Sequence, residues 1–313
     1  MTPHSKIYVA GHRGLVGSNL LKLLKKRGYK NLVTRTSKQL DLRNQKATEK
    51  FFEKEKPEYV FLAAATVGGI MANDSYPVDF LQNNLQIQTN VIGNACKSGA
   101  KKLLFLGSSC IYPRDCPQPM KEEYLLTGPL EKTNEWYAIA KIAGIKLCQA
   151  YRKQYGFNAI SAMPTNLFGP GDNFDLETSH VLPALIRKFH EARSNNHNEV
   201  IIWGTGTPRR EFLYIDDLAD ACFFLMQNYE SGDIVNIGTG EEISITELAE
   251  LIKSTSDYKG SIVYDRSKPD GTPRKLLDIS KLKSTGWENH ISLRQGIKKT
   301  YCWYKINIQT RPE

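Results

Sequence analysis

A strand-length apolar run at residues 6–10 (KIYVA) ends in a turn with glycines at Gly11, Gly14 and Gly17. The turn opens into a segment with leucines at 20, 21, 23 and 24, one face of a helix. The spacing constrains the chain because each glycine has its own task. The first permits a tight turn, the second lets backbone approach a pyrophosphate, and the third lets helix and strand pack closely. The start of the helix then directs free N–H groups at phosphate. A strand before the glycines and a helix after them is the context that makes such a turn a dinucleotide site. Arg13, inside the turn, and Leu15 and Val16, at the helix start, belong to that expected site.

The pattern continues as alternating strands and helices. Strand-like runs occupy 32–35, 59–65, 102–106 and 159–163, with helical patterns at 18–27, 78–98 and 137–155. Near-continuous apolar strands separated by helices imply a parallel sheet covered on both faces. The expected fold is α/β, a Rossmann-type doubly wound parallel sheet with a smaller C-terminal substrate-binding lobe. Residues 1–168 form the expected dinucleotide domain, with a returning segment near 205–237. Residues 169–204 and 238–313 form the expected lobe. Within it a helix is read at 181–192, strands at 199–203 and 234–237, and a helix at 246–254 after a possible Ser244 cap.

NAD sites usually place an acid near the end of the second strand, about 20 residues on. Here residues 34–38 read Thr-Arg-Thr-Ser-Lys, without a carboxylate. Arg13, Arg35 and Lys38 suit a 2′-phosphate, which favours NADP(H) over NAD(H). Ser37 lies among them, and Asp41 and Leu42 are placed at the adenine edge.

Tyr137 and Lys141 stand four apart on a helical pattern, so they share a face. A lysine there is expected to lower the tyrosine pKa by favouring the phenolate. A tyrosine so tuned can give a proton to a carbonyl as hydride arrives. Such pairs are common in ordinary helices, and context decides. Ser108 follows the 102–106 run, whose last residue is Leu106. It therefore sits at a strand's C-terminal edge, where open α/β sheets bind ligands.

Together these features resemble the extended short-chain dehydrogenase/reductases. Within them the chain resembles the GDP-L-fucose synthase family, the GDP-4-keto-6-deoxy-D-mannose 3,5-epimerase/4-reductases. The matching stretches are AGHRGLVGS (10–18), LAAATVGGI (62–70), LFLGSSCIYP (104–113), YAIAKIAGIKLC (137–148), PTNLFGPGDNF (164–174), SHVLPALIRKFHEA (179–192), WGTGTPRREFL (203–213) and SKPDGTPRKLLD (267–278). The resemblance implies proton donation and nicotinamide-ribose binding by Tyr137 and Lys141, with Ser108 aiding the carbonyl. It implies an epimerising acid/base pair of Cys110 and His180. Pro164, Asn166, Leu167 and His180 would lie near the cofactor. Ser109, Asn134, Lys188, Trp203, Arg210 and Asp278 would meet the GDP-sugar. Ser37 and Lys188 depart from the basic residue and the second arginine that relatives often carry there. Lysine lacks the guanidinium fork, so a sibling reductase of a GDP-4-keto-heptose is a rival reading.

The implied chemistry is coherent. A ketone at C4 acidifies the protons on C3 and C5, and inversion needs a base on one face and an acid on the other. Cysteine and histidine both titrate within reach of neutral pH. A nucleotide-sugar 4-epimerase or dehydratase is a second class, but a dehydratase would want an acidic pair where Ser109 and Cys110 stand. A non-catalytic NADP-binding regulator would need no Ser/Tyr/Lys set. The net charge of +9 is spread along the chain, which argues against nucleic acid. No run approaches the roughly 18 apolar residues of a membrane span. The six cysteines show no zinc or CxxC spacing, which suits reduced thiols in the cytoplasm. The helices at 78–98 and 137–155 are the expected faces of a homodimer.

Overall fold

The structure, a computed structural model, describes residues 1–268 and 270–308. Six strands form the central sheet: β1 (Ile7–Ala10), β2 (Leu32–Val33), β3 (Tyr59–Leu62), β4 (Lys102–Leu106), β5 (Ala159–Pro164) and β6 (Val235–Ile237). They lie in the order β6-β5-β4-β3-β1-β2, and every pairing is parallel. Parallel neighbours need crossovers, and helices supply them on both faces.

The pleat sends alternate side chains to opposite cores. Tyr8, Val60, Leu103 and Phe105 pack with Val91, Ile92 and Ile145 from the helices Asn84–Lys97 and Glu135–Tyr155. Ile7, Val9, Phe61 and Leu104 pack with Leu20, Leu24 and Leu218 from the helices Leu15–Lys26 and Ile215–Asn228. A third core joins Phe168, Leu182, Ile186, Phe189, Ile202, Leu248 and Tyr301 in the C-terminal part. The joint is the short strand pair Asn166–Phe168 and Phe212–Tyr214. There Leu213 faces the sheet-side core, while Phe212 and Tyr214 face the third.

Residues 77–97 are helical without a break, as the pattern suggests, but not α-helical throughout. A π-helical turn, Asp79–Asn83, precedes the α-helix Asn84–Lys97. The buried Asn84 side chain explains it. Its Nδ2 donates to the Phe80 carbonyl at 2.7 Å and to Thr66 O, and its Oδ1 accepts from Thr66 N. A side chain on the i−4 carbonyl competes with the regular backbone ladder. The second strand ends at Val33, short of the expected 35. The helix Ile245–Ser256 does start on Ser244, whose capping box with Glu247 satisfies both ends of the turn.

Helix Glu135–Tyr155 lies unusually close to the sheet because residue 144 is glycine. A Cβ there would sit 2.4 Å from Phe105 Cζ and 2.7 Å from Gln88 Oε1. Gln88 also donates to the Ala140 carbonyl at 2.7 Å. These contacts fix the height of Tyr137 and Lys141 above β4. No helix among the described residues is long and apolar enough to cross a membrane.

Candidate active site

The strand order reverses between β1 and β3, and the glycine turn leaves β1 at that point. Gly11 has φ +82°, and a Cβ on it would meet Ala64 N at 2.7 Å. A Cβ on Gly17 would lie 2.2 Å from Gly11 O, so helix and strand touch here. At Gly14 the nearest atom would be 3.5 Å away. The protein leaves room there, in keeping with approach by a ligand. Helix Leu15–Lys26 has no side-chain cap and no acid in its first turn, so its first N–H groups face outward without a side-chain acceptor.

The cations of the expected 2′-phosphate site differ in freedom. Arg13, Ser37 and Lys38 are exposed. Arg35 is held by Glu55 at 2.6 Å and by the Thr34 carbonyl. Asp41 is paired with Arg43 at 2.8 Å, and Leu42 is buried. Pro164 ends β5, and on the next strand Asn166 donates to the Glu211 carbonyl at 2.7 Å, ahead of Leu167.

Lys141 donates to the Leu106 carbonyl at 2.7 Å, and its ammonium lies 5.6 Å from the Tyr137 ring centroid. Burial lowers its pKa to about 7. The expectation that Lys141 lowers the Tyr137 pKa is not met. Burial raises the phenol, the Cys110 sulfur adds to the rise, and the Ser108 hydroxyl opposes it. The reason is plain: the desolvated lysine is spent on a backbone carbonyl, not on the phenol.

Ser108 begins the turn Ser109–Ile111 and accepts from Cys110 N at 3.2 Å. Its side chain faces both the Tyr137 phenol and the Cys110 sulfur and favours the ionised form of each. The Cys110 sulfur receives Lys275 Nζ at 3.3 Å and Asn134 Nδ2 at 3.5 Å. Burial works to raise this thiol, but Lys275, Ser108 and Arg210 outweigh it and the net shift is downward. Ser109 is buried beside it. His180 precedes helix Val181–Ser194 and keeps some solvent-exposed surface although protein crowds closely around it. Burial and then the Lys275 charge lower its pKa. Cys110 and His180 thus answer to one ammonium.

Farther out, Trp203 is 43% exposed. Lys188 Nζ and Lys268 Nζ lie 5.1 Å and 5.6 Å from its ring centroid. Thr205 N and Oγ1 both bond Asp270, which clasps the loop after Trp203 to the loop that carries Lys275. Arg210 faces Cys110 and Asp270 and bonds the Asp270 carbonyl at 3.4 Å. Asp278 accepts from Ser280 N at 2.8 Å and is influenced by Lys121, a setting apart from Trp203 and Arg210.

The sequence reading missed three residues. Lys275 and Lys268 lie within the quoted 267–278 segment, yet their partners are 65 or more positions away, as the Lys275–Cys110 separation of 165 shows. Glu211 is fully buried, and its carboxylate accepts from Thr239 N, Gly240 N and Leu277 N. It ties three loops around the site. The signal for it was a lone carboxylate directly before the apolar strand run Phe212–Tyr214.

Comparison with known proteins agrees with this geometry. The NAD dependent epimerase/dehydratase family matches residues 7–238. The chain is 61% identical over 307 residues to GDP-L-fucose synthase 1 of Arabidopsis thaliana, covering 98% of this chain and 95% of that protein. The crystal structure of a GDP-6-OMe-4-keto-L-xylo-heptose reductase from C. jejuni superposes with TM-score 0.93 at 43% identity, covering 98% of this chain and 99% of the other. A GDP-L-fucose synthetase from Naegleria fowleri bound to NADP superposes with TM-score 0.91 at 33% identity, covering 100% and 98%. The chain belongs to the NAD dependent epimerase/dehydratase family and, within it, to the GDP-L-fucose synthase group.

Proposed function

We propose that this chain converts GDP-4-keto-6-deoxy-D-mannose to GDP-L-fucose by 3,5-epimerisation and NADPH-dependent reduction at C4. The observation that carries this reading is the convergence of Tyr137 and Cys110 on the Ser108 hydroxyl. One pocket thereby holds a proton donor for an oxygen and a titratable thiol for a carbon.

The residues fit a dinucleotide. The glycine turn admits no Cβ at Gly11 or Gly17, and the uncapped helix start can accept phosphate. Arg13 and Lys38 are exposed to meet a 2′-phosphate, and Arg35 would join them by exchanging Glu55. When bound, NADPH supplies the hydride delivered to C4.

The chain's own groups divide the remaining work. Ser108 and Tyr137 stabilise negative charge on the C4 oxygen by hydrogen bonds. Cys110 and His180 exchange protons with C3 and C5 while that charge is held. Tyr137 then gives its phenolic proton to the C4 oxygen, and its high pKa keeps that proton in place until the oxygen becomes basic. Trp203, Lys188 and Arg210 ring the outer cleft, where aromatic and cationic groups suit a guanine nucleotide diphosphate. The enzyme works in the cytoplasm as a homodimer joined through helices Asn84–Lys97 and Glu135–Tyr155; Trp136 and Ile139 on the second helix are exposed apolar side chains.

The test is turnover of GDP-4-keto-6-deoxy-D-mannose with NADPH in deuterium oxide. GDP-L-fucose labelled at C3 and C5 is the expected product. NADPH consumption without label at either carbon overturns the epimerase half and leaves a C4 reductase, the activity named for the C. jejuni relative.

A further inference from the structure

Two two-residue strands, Arg209–Arg210 and Arg274–Lys275, pair in parallel with Arg274 opposite Arg209 and Lys275 opposite Arg210. Opposed residues in a ladder share a face, and successive residues alternate faces. The side chains obey this. Arg209 and Arg274 turn one way, to Glu242, at 2.9 Å and 2.8 Å. Lys275 and Arg210 turn the other way, to Cys110. Glu242, with Glu247 on Arg209, thus balances one pair of cations, while the other pair confronts the Cys110 sulfur, with Asp270 and Glu131 also acting on Arg210.

We propose that Lys275 is a positioning residue for proton transfer, holding the Cys110 sulfur as a thiolate so that Cys110 enters the reaction as the base. The proposal rests on the epimerase reading above and deepens it. The thiolate takes a proton from the carbon beside the ketone and becomes a thiol, and the carbon's electron pair moves onto the ketone oxygen. Two donors reach the sulfur, Lys275 Nζ at 3.3 Å and Asn134 Nδ2 at 3.5 Å, and the Ser108 hydroxyl lies beside it. Arg210 adds positive charge at longer range, and Tyr137 faces the sulfur from helix Glu135–Tyr155. Across the same small cavity Glu131 is bound to Arg114 at 3.4 Å, so its carboxylate is already matched. Ammonium beside thiolate favours the ionised sulfur. Burial, and then the same ammonium, lower the pKa of His180, which disfavours an ion pair between the two partners.

The experiment uses the NADP(H)-bound enzyme. The rate of Cys110 alkylation by iodoacetamide is followed against pH, with Cys110→Ser as the blank for the other cysteines. The parent is expected to inflect below the ordinary thiol value of about 8.5. Lys275→Met should move the inflection up by at least one pH unit, and Lys275→Arg should return it toward the parent. In parallel, deuterium entry at C3 and C5 at pH 7 should fall at least tenfold in Lys275→Met and recover as pH rises. A parent inflection at or above 8.5 overturns the proposal without any variant. So does a Lys275→Met profile that coincides with the parent's. If the inflection shifts as expected while the parent itself incorporates no deuterium, the epimerase reading fails and the role of Lys275 at the thiol stands.

Discussion

Lys141 and Leu106 are joined by a 2.7 Å hydrogen bond from the ammonium to the backbone carbonyl, and burial lowers the lysine's pKa. The folded pKa of about 7 lies below the ordinary lysine value near 10.4. Between those limits the unfolded chain binds more protons, so this residue makes stability rise with pH. Its cost is complete below pH 7 and gone above about pH 10.4. Lys141→Met should therefore be more stable than the parent, by about 1–4 kcal/mol at pH 6.5, as when buried charge is replaced by apolar volume. The excess should shrink toward pH 10. Melting curves of both proteins without cofactor across that range provide the check, and a constant offset would contradict it.

Gly144 controls the spacing between the catalytic helix and β4. Gly144→Ala places a methyl 2.4 Å from Phe105 Cζ, where a fully buried ring cannot yield freely. Overpacking of this kind costs about 1–3 kcal/mol. The helix must lift, which stretches the Lys141–Leu106 bond and displaces Tyr137. We expect a lower melting midpoint together with at least a tenfold fall in kcat for NADPH oxidation. A loss of stability with unchanged kcat would show that helix height does not set the geometry of the phenol.

The sheet was legible because its evidence is local. Continuous apolar strands and three glycines at one strand end specify a parallel dinucleotide-binding sheet almost without tertiary help, and β1, β3, β4 and β5 lie within or on their expected runs. Ser108, Tyr137 and Lys141 were legible for the same reason: a strand end and a helical i, i+4 spacing. The electrostatics were not. Whether Lys141 serves the phenol or a carbonyl depends on Leu106, and whether Cys110 ionises depends on Lys275, 165 positions later. The helix Gln45–Glu55 escaped notice because its buried side is only Thr48, Phe51 and Phe52. The π-helical turn at Asp79–Asn83 arises from an asparagine that bonds the Phe80 carbonyl four residues back and Thr66 outside the helix, which periodicity cannot register.

Asp172 gives a second pH signature. Its Oδ1 accepts from Asn173 N at 2.8 Å, while Oδ2 is buried without a partner. Burial pushes the carboxyl up to about 7. A raised carboxyl contributes stability below the unfolded value near 3.9, and that contribution disappears as pH rises through 7. Asp172→Asn keeps the acceptor for Asn173 N and never ionises. The variant's melting advantage should be small at pH 4.5 and clearly larger at pH 8. Equal differences at both values would show that Asp172 does not carry this dependence.

Tyr137 separates proton donation from scaffolding. Its ring packs edge-on against Phe80 with centroids 6.3 Å apart, a contact that Tyr137→Phe retains. The variant loses the hydroxyl that faces Ser108 and the proton destined for the C4 oxygen. General acid catalysis is worth about 10²–10⁴-fold, so kcat for NADPH oxidation should fall by that factor. Deuterium exchange at C3 and C5 should fall less, because Ser108 remains as a donor to the enolate oxygen and Cys110 keeps Lys275 and Asn134. Both rates are read in one reaction in deuterium oxide, by absorbance for the coenzyme and by mass for the sugar. Exchange and reduction falling by equal factors would mean that one donor governs both steps, and that the phenol, not the serine, holds the enolate.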